Sequence, residues 1–384
     1  MNGLDRVLQS LQAQDLYRQR QVLDSPQGIR VTVDGRDLLS FCSNDYLGLA
    51  SDARIAAAFA AAAAKYGFGA GASHLVTGHS REHHELEREL AEFVGAPRAL
   101  LFSTGYMANL GVVSALLGRD DLVVEDRLNH ASLIDAVRLS RARVARYHHG
   151  DADHARARLQ AAGATRMLAT DAVFSMDGDR APLAELTALA RETGAWLLAD
   201  DAHGLGVVGR QGRGSFSQLD IPLGDPIIYM GTLGKAIGTF GAFVAGSEKL
   251  IETLVQRART YIYTTALPPA VAAATRASLR IVRDEEWRRE RLRENIDRFV
   301  RAAHDLGLTL LPSESPIQAL VLGESKRALL ASQHLRERGI VVPAIRPPTV
   351  PNRTARLRIT FSALHGPDEV DCLLDVLAEA VPAA

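Results

Sequence analysis

The chain contains 384 residues, with 47% hydrophobic and 23% charged residues and a formal net charge of −1. This composition predicts a globular protein with a large core, and the near-neutral charge excludes an overall field that would favour nucleic acid or an anionic membrane. The two cysteines, Cys42 and Cys372, form neither a metal-type pair nor a disulfide framework. The N-terminus lacks the basic-then-apolar pattern of a signal peptide, so we expect a soluble cytoplasmic protein.

Two elements are predicted before residue 43. Residues 4–22 favour an amphipathic helix rich in Gln and Arg. The following stretch, R-V-T-V-D-G-R-D-L-L-S-F, favours two strands joined by a hairpin turn at Asp34 and Gly35.

After S-N-D-Y-L-G-L, apolar runs alternate with helical segments. We expect strands at residues 98–102, 121–125, 166–172, 196–199 and 226–230, and a helix at 106–117. Repeated strand–helix units predict a mostly parallel sheet with helices on both faces. From about residue 269 the pattern changes to a long charged helix, strands at 317–322 and 355–361, and a closing helix. We therefore expect an N-terminal segment (1–43), a large α/β domain (44–273) and a smaller α+β domain (274–384).

The stretch W-L-L-A-D-D-A-H-G-L-G-V-V-G contains G-x-G-x-x-G at Gly204, Gly206 and Gly209, directly after a predicted strand. A dinucleotide-binding turn needs a strand that enters the first glycine at once and a helix that begins among the glycines. Four residues intervene here, and the following R-Q-G-R-G is a poor helix former. We favour instead the interpretation that the strand end delivers Asp200 and His203 to a site.

A second glycine-rich stretch, M-G-T-L-G-K-A-I-G-T-F-G, contains Lys235 just after another predicted strand. Pyridoxal phosphate needs a lysine, a carboxylate beside its ring nitrogen and backbone N–H groups for its phosphate. The loop 103–106, S-T-G-Y, joins a strand to a helix start and supplies such N–H groups. Singly, Lys235 could be a surface lysine, Asp200 a cap and His203 a core residue. Their order along the chain favours a cofactor site.

Four motifs carry a resemblance over nearly the whole chain from about Ser43. They are D-D-A-H-G-L-G-V-V-G-R-Q-G-R-G, T-L-G-K-A-I-G, F-S-M-D-G-D-R-A-P-L and S-N-D-Y-L-G-L. The chain resembles the α-oxoamine synthases, fold-type I pyridoxal-phosphate enzymes that condense an amino acid with an acyl thioester and release carbon dioxide. The resemblance implies a large domain with a mostly parallel sheet between helices, and a smaller α+β C-terminal domain.

The stretch A-I-R-P-P-T-V-P resembles the biotin-pathway branch of this family. That branch condenses L-alanine with pimeloyl-CoA or a pimeloyl-carrier protein. The nearest alternative within the family joins glycine with acetyl-CoA or succinyl-CoA. An aminotransferase on the same fold, and a non-catalytic or nicotinamide-binding protein, are further alternatives.

The resemblance implies roles for individual residues. Lys235 would carry the cofactor and remove the α-proton of the amino acid, Asp200 would pair with the pyridinium N–H, and His203 would bond near the phenolic oxygen. His130, in L-N-H-A-S, would stack on the ring face. Further cofactor contacts are implied for Gly105, Tyr106, Ser175, Thr232 and, from the neighbouring subunit of a homodimer, Thr264 and Thr265.

Substrate contacts are also implied by the resemblance. They involve Arg18 at the acyl substrate, Asn44 and Thr349 near the active site, and Arg358 at the amino-acid carboxylate. Arg356 lies two residues from Arg358 and, on a strand, on the same side, so the choice between the two arginines stays open.

The remaining polar clusters are interpreted as structural or solvated rather than functional. His79 and His83 have the i, i+4 spacing of metal ligands, with His84 beside them, but a solvated helix face is favoured over a metal site because H-E-x-x-H is absent. His148 and His149 favour a surface turn. Residues 283–298 alternate in charge and favour a solvated helix rather than a nucleic-acid patch.

Overall fold

The computed structural model of the protein describes residues 3–14, 16–160 and 164–381. The predicted hairpin is confirmed and consists of β1 (Arg30–Val33) and β2 (Arg36–Ser40). Asp34 and Gly35 have φ angles of 48° and 73°, the left-handed backbone that a tight Asp-Gly hairpin turn requires.

The predicted N-terminal helix is wrong in its extent. Helix α1 spans Gly3–Ala13 rather than residues 4–22, and no residue of this helix is buried; residue 15 lies outside the described ranges. Residues 22–24 run beside the hairpin instead, because Asp34 N donates to Val22 O at 2.9 Å and Asp24 N donates to Thr32 O at 2.8 Å. Backbone groups that pair with the hairpin cannot also close helical turns.

A seven-stranded sheet forms the centre of the large domain. Its strands are β3 (Arg98–Phe102), β4 (Leu122–Asp126), β5 (Arg143–Tyr147), β6 (Arg166–Asp171), β7 (Trp196–Asp200), β8 (Ile227–Thr232) and β9 (Ala242–Gly246). The order is β3-β9-β8-β7-β6-β4-β5, and β9 alone runs against the others. The mostly parallel α/β fold is therefore confirmed.

Two of these strands were not predicted, and each has a physical reason. The β5 sequence R-V-A-R-Y is an edge strand with little burial, so its apolar signal is weak. The β9 sequence A-F-V-A-G is fully buried but follows the glycine-rich lysine loop directly. Buried apolar clusters cover both faces of the sheet, with Leu101 in one and Leu100 in the other.

Two three-stranded sheets flank this core. Strands β10 (Ile317–Gly323), β12 (Ala344–Ile345) and β13 (Ala355–Thr360) form one in the order β10-β13-β12. Strand β11 (Ile340–Val341) pairs in parallel with β2, so the N-terminal hairpin shares a sheet with the C-terminal part of the chain. The domain limits at residues 43 and 273 stay predictions.

Helices cover both the sheet and the C-terminal strands. The remaining helices are α2 (Ala53–Tyr66), α3 (Arg81–Val94), α4 (Gly105–Leu116), α5 (Ala131–Ser140), α6 (Ala152–Leu159), α7 (Leu183–Thr193), α8 (Ser215–Gln218), α9 (Glu248–Arg257), α10 (Arg259–Ile262), α11 (Pro269–Asp284), α12 (Trp287–Asp305), α13 (Ser325–Glu337) and α14 (Pro367–Ala380). The long charged helix expected from residue 269 is two helices, α11 and α12. Within the described ranges, no helix has both the length and the apolar character needed to cross a bilayer.

Candidate active site

The candidate site lies where the parallel strands of the central sheet end. Asp171 is the last residue of β6, Asp200 is the last of β7, and His130 and Lys235 follow β4 and β8 within a few residues. Carboxyl ends of parallel strands share one edge of the sheet, which is where open α/β sheets bind their ligands. The fold therefore gathers these distant motifs at a single edge.

The loop that carries Lys235 is packed against the S-N-D-Y-L-G-L motif. Gly238 N donates to Lys235 O at 2.8 Å, and Gly238 has a φ of 68°. A Cβ on Gly238 would lie 2.6 Å from the carbonyl carbon of Leu49, so only glycine fits this approach. Thr232 Oγ1 closes the loop by donating to Gly241 O at 3.2 Å.

The surroundings of Lys235 favour the neutral form of its amine. Burial lowers the pKa of Lys235 to about 8, although the negative charges of Asp200 and Asp171 oppose the shift. A lysine with a pKa near the working pH can both accept and return a proton. This is the property required of a base that acts at an amino-acid α-carbon.

A hydrogen-bonded chain leads from Lys235 to an arginine of the C-terminal sheet. Lys235 Nζ lies 2.7 Å from His203 Nε2, and His203 Nδ1 lies 2.7 Å from the Tyr46 hydroxyl. The hydroxyl donates to Asn44 Oδ1 at 3.1 Å, and Arg358 Nη2 donates to the same oxygen at 3.2 Å. These five side chains form what we call the Lys235–Arg358 chain.

The direction of each hydrogen bond in the Lys235–Arg358 chain follows from its Arg358 end. Arg358 can only donate, so Asn44 presents its oxygen, and the single Tyr46 proton points to that oxygen. The Tyr46 hydroxyl then accepts from the Nδ1–H of His203, which leaves Nε2 to accept from Lys235. His203 is therefore neutral, in agreement with burial and the positive charge of Lys235, which hold the pKa of His203 well below its usual range.

Asp200 is held beside this chain by helix α4. Asn109 Nδ2 donates to Asp200 Oδ2 and to Ser132 Oγ, each at 2.8 Å, and Ala202 N donates to Asp200 Oδ1 at 3.1 Å. Asp200 is only 3% exposed. The carboxylate is thus oriented by neutral donors, and it stays free to pair with a cationic N–H group.

His130 presents an exposed ring at the same edge. Its backbone N donates to Asp171 Oδ2 at 2.6 Å, and its Nδ1 lies 2.8 Å from Ser132 Oγ. Asn109 donates a hydrogen bond to Ser132 and another to Asp200. The same pair of side chains, Asn109 and Ser132, therefore orients the His130 imidazole and the Asp200 carboxylate. The protein packed around part of the ring desolvates it and lowers the pKa of His130, which favours a neutral ring that can stack on a flat aromatic group.

The N-terminus of helix α4 offers N–H groups that could bind an anion. Thr104 caps this helix by accepting from Met107 N at 3.1 Å, and Gly105 and Tyr106 are its first residues. Their N–H groups belong to the first turn, which has no intrahelical acceptors and carries the positive end of the helix dipole. The exposed Tyr106 side chain is directed to Asp135.

Together these residues fit pyridoxal phosphate. A poised lysine, a buried carboxylate, a neutral exposed imidazole and a helix N-terminus are the donor set that its aldehyde, ring nitrogen, ring face and phosphate require. Asn109, which orients Asp200 and Ser132, has a buried Oδ1 atom. Within the described parts of the chain this acceptor has no hydrogen-bond partner.

The two arginines of β13 have different partners. Arg356 is ion-paired with Asp177 and also donates to Thr354 O at 2.9 Å. Arg358 donates to Ser175 O at 2.6 Å and to Asn44 within the Lys235–Arg358 chain. Arg358 is therefore connected to the lysine site, while Arg356 fastens β13 to the turn that follows β6.

Four further residues implied by the resemblance lie outside this network. Among hydrogen bonds of the described residues, none connects them to the Lys235–Arg358 chain; they are Arg18, Thr264, Thr265 and Thr349. Thr265 instead forms a bridge with Ser73, Thr349 N donates to Arg346 O, and Arg18 is exposed.

The site also contains residues that the sequence analysis missed. Tyr46 belongs to the motif S-N-D-Y-L-G-L, but nothing in that motif indicated a contact with His203, which is 157 positions away. Asn109 lies one helical turn after Gly105, a spacing that places it on the same face and could have been noticed. Asp171 is the next-to-last residue of a predicted strand (166–172) at the same edge as Asp200, which was a second usable signal.

One structural interpretation of the histidines is wrong and another is confirmed. His83 is fully buried rather than solvated; its Nε2 lies 2.7 Å from Leu267 O and its Nδ1 caps α3 through Ser80. The turn predicted at His148 and His149 is confirmed, since Asp151 N donates to His148 O at 3.0 Å. Within this turn the half-buried His149 ring lies 3.0 Å from Asp126 and 2.7 Å from Asp179.

The charge of His149 follows from these neighbours. Burial lowers the pKa of His149, but the hydrogen bonds and charges of Asp126 and Asp179 outweigh it and raise the pKa to about 10. His149, Asp177 and Asp179 are also close enough to resemble a metal site. The imidazolium, which cannot ligate a metal, supplies the positive charge there.

Comparison with known proteins shows the family to which the chain belongs. The family model for class I and II aminotransferases matches residues 36–377. The 8-amino-7-oxononanoate synthase of Methylococcus capsulatus is 59% identical over 377 residues, which cover 98% of this chain and 97% of the relative.

Solved structures give the same relationship. A serine palmitoyltransferase variant from S. paucimobilis, bound to a pyridoxal phosphate–myriocin aldimine, is 31% identical with a TM-score of 0.92 and covers 99% of this chain and 96% of its own. The 8-amino-7-oxononanoate synthase of Francisella tularensis is 32% identical with a TM-score of 0.79, covering 90% and 98%. The chain therefore belongs to the class I and II aminotransferase family and, within it, to the 8-amino-7-oxononanoate synthases, which are pyridoxal-phosphate-dependent enzymes.

Proposed function

We propose that this protein condenses L-alanine with a pimeloyl thioester, either pimeloyl-CoA or a pimeloyl-carrier protein, in biotin biosynthesis. A bond forms between the alanine α-carbon and the thioester carbonyl carbon, the C–S bond breaks to release the thiol, and the alanine carboxylate leaves as carbon dioxide. The product is 8-amino-7-oxononanoate. The single observation that carries the chemistry is the Lys235–Arg358 chain, which places a proton-accepting amine and a carboxylate-binding guanidinium in one network.

Lys235, Asp200 and His130 each have a task in this reaction. When bound, pyridoxal phosphate supplies the electron sink that makes proton loss and decarboxylation at the α-carbon feasible. Lys235 accepts the α-proton at Nζ and later returns a proton. Asp200 keeps the ring nitrogen protonated, which stabilises negative charge in the ring. His130 covers the ring face.

Substrate binding is assigned to the other end of the Lys235–Arg358 chain. A planar guanidinium grips a carboxylate with two hydrogen bonds, and Arg358 is the β13 arginine that reaches the network. The amide nitrogen of Asn44 can add a third donor. The ion pair between Arg356 and Asp177 supports a structural role for Arg356.

We also propose a homodimer with shared sites. The segment that contains Thr264 and Thr265 pairs with Ser73, and three apolar side chains in these two stretches of sequence are exposed, namely Phe68 (81% exposed), Val76 (74%) and Tyr263 (70%). The Ser73–Thr265 bridge joins the two parts of this patch. An apolar patch of this kind favours a covering partner, and the second copy would bring its threonines to the phosphate.

Complementation tests this arrangement. Lys235→Ala and Thr265→Ala subunits, each inactive or weakened alone, should regain activity when mixed and refolded, because one hybrid site contains both native residues. Activity that never exceeds the sum of the separate variants would contradict the shared site.

The expected cytoplasmic location and the roles of Arg18 and Thr349 stay predictions.

The first experiment compares two substrate pairs with cofactor-loaded protein. We expect fast thiol release from pimeloyl-CoA with L-alanine, and little from acetyl-CoA with glycine. Release only with acetyl-CoA and glycine would keep the site residues but move the function to the glycine branch. Pyridoxamine phosphate formed from alanine alone would indicate an aminotransferase.

A further inference from the structure

One side chain outside the Lys235–Arg358 chain joins two loops of the candidate site. His149, in the turn after β5, lies 3.0 Å from Asp126 Oδ1 through its Nδ1 and 2.7 Å from Asp179 Oδ2 through its Nε2. Asp126 is the last residue of β4, and Asp179 ends the turn 174–179 that follows β6. Because β4 and β6 are parallel neighbours in the sheet, the imidazolium bridges the segments that follow two adjacent strands.

The first of these segments is the loop 126–130, which carries His130. Asp126 Oδ1 accepts from Leu128 N at 2.8 Å, so the carboxylate that contacts His149 also fixes the backbone two residues before His130. At the other end of the loop, His130 N donates to Asp171 Oδ2 at 2.6 Å. Of the two carboxylates that hold this loop, Asp126 is therefore the one whose position depends on His149.

The second segment is the turn 174–179, which supports Arg358. Arg358 Nε donates to Ser175 O at 2.6 Å, and Phe174 N closes the turn by donating to Asp179 O at 2.9 Å. His149 contacts both ends of the turn, because its ring also packs edge-to-face on Phe174, with the ring centroids 4.4 Å apart. The carbonyl that receives Arg358 thus lies between the two residues that His149 contacts.

Two cations hold the turn 174–179 from different parts of the chain. Arg356 of β13 is ion-paired with Asp177, and His149, next to the central sheet, is paired with Asp179. Charged hydrogen bonds are roughly twice as strong as neutral ones, so each contact restrains the turn. Without His149, the turn would stay attached to β13 but would lose its attachment to the loop 126–130. The two loops could then shift relative to each other.

We propose that His149 is a positioning residue that sets the spacing between His130 and Arg358. The proposal rests on the proposed function, in which His130 covers the cofactor ring and Arg358 binds the carboxylate of L-alanine. An amino acid held at the cofactor contacts Arg358 well only when the two loops have the correct spacing. A displacement of about 1 Å can lower the rate about 100-fold, even when the altered residue lies outside the reacting groups.

The test measures the Kd of L-alanine with cofactor-loaded protein, from the change in cofactor absorbance as L-alanine is added. His149→Gln should raise this Kd about tenfold, because the bidentate contact with Arg358 is misaligned, and should lower kcat/KM for thiol release about 10- to 100-fold. In an Arg358→Lys background, His149→Gln should raise the Kd less than about twofold further, because the contact is already lost. A purely structural role for His149 would not produce this coupling.

Two further variants complete the test. Arg276→Gln is the matched control and should leave the Kd of L-alanine unchanged. Arg276 is likewise a cation between two carboxylates, 2.6 Å from Glu82 and 2.7 Å from Glu89, but both of these lie on α3 rather than on a loop of the site. Asp179→Asn keeps an acceptor for His149 and removes the charge, so it should raise the Kd by less than His149→Gln does.

The outcomes separate this proposal from the proposed function. An unchanged Kd of L-alanine in His149→Gln would overturn the positioning role, as would an equal rise in the wild-type and Arg358→Lys backgrounds. If His149→Gln does not fold, Asp179→Asn decides the question in the same two backgrounds. Wild-type protein that binds L-alanine but releases no thiol from pimeloyl-CoA would instead contradict the proposed function, while the Kd values would still decide the role of His149.

Discussion

Removing the Tyr46 hydroxyl is the sharpest test of the Lys235–Arg358 chain. Tyr46 is fully buried, and its oxygen lies 2.7 Å from His203 Nδ1 and 3.1 Å from Asn44 Oδ1. Tyr46→Phe keeps the ring but leaves the His203 N–H without its acceptor, which costs about 1–3 kcal/mol for a buried polar group. We expect this cost at the chemical step, because His203 contacts Lys235. At about 1.36 kcal/mol per tenfold, kcat/KM falls about 5- to 150-fold.

The assay measures thiol release with L-alanine and pimeloyl-CoA, and urea unfolding of the same samples separates stability from activity. Tyr229→Phe is the matched control. Tyr229 is equally buried and its hydroxyl donates to Asp201 Oδ2 at 3.1 Å, but it has no part in the Lys235–Arg358 chain. If Tyr46→Phe loses no more kcat/KM than Tyr229→Phe, the hydrogen-bonded chain has no catalytic consequence and our reasoning fails.

Three further variants test single features. Lys235→Ala should fold and bind pyridoxal phosphate without a covalent bond but show no turnover; normal thiol release would refute its role. Arg358→Lys should raise KM for L-alanine about tenfold or more, because an ammonium cannot grip a carboxylate bidentately; an unchanged KM would move the carboxylate elsewhere. His149→Gln should lower the free energy of unfolding by about 3 kcal/mol. Since folding raises the pKa of His149 to about 10, this loss should be complete below pH about 6.5 and vanish as pH rises through about 10; equal loss at all pH values in urea titrations would exclude the ion pair.

The sequence predicted those parts of the fold whose signal is local. Apolar runs gave the buried strands β3, β6, β7 and β8 almost to the residue, and Asp34-Gly35 gave the hairpin turn. The edge strand β5 was missed because half-exposed arginines dilute its apolar pattern. Helix α1 was overextended because periodicity alone cannot show that residues 22–24 pair with the hairpin.

The site was predictable to the extent that strand ends converge. Because Asp200 and Lys235 each follow a buried parallel strand, topology alone brings them to one edge. The supports of these residues were not predictable in the same way. The Tyr46–His203 contact joins positions 157 apart, and the Arg358–Asn44 contact joins positions 314 apart. Such pairs depend on how the three sheets pack, which no short motif contains.

The two arginines of β13 show how that packing decides a role. Arg356 and Arg358 have the same chemistry, the same strand face and nearly the same burial, so the sequence left the choice between them open. Their partners favour Arg358 in our proposal, because Asp177 is ion-paired with Arg356 while Arg358 donates to Asn44 of the N-terminal segment. The proposed carboxylate site would thus be formed where the N-terminal segment and the C-terminal sheet meet the turn after β6. A substitution that loosens the contacts among these three parts should weaken the binding of L-alanine more than the binding of the cofactor at the central sheet.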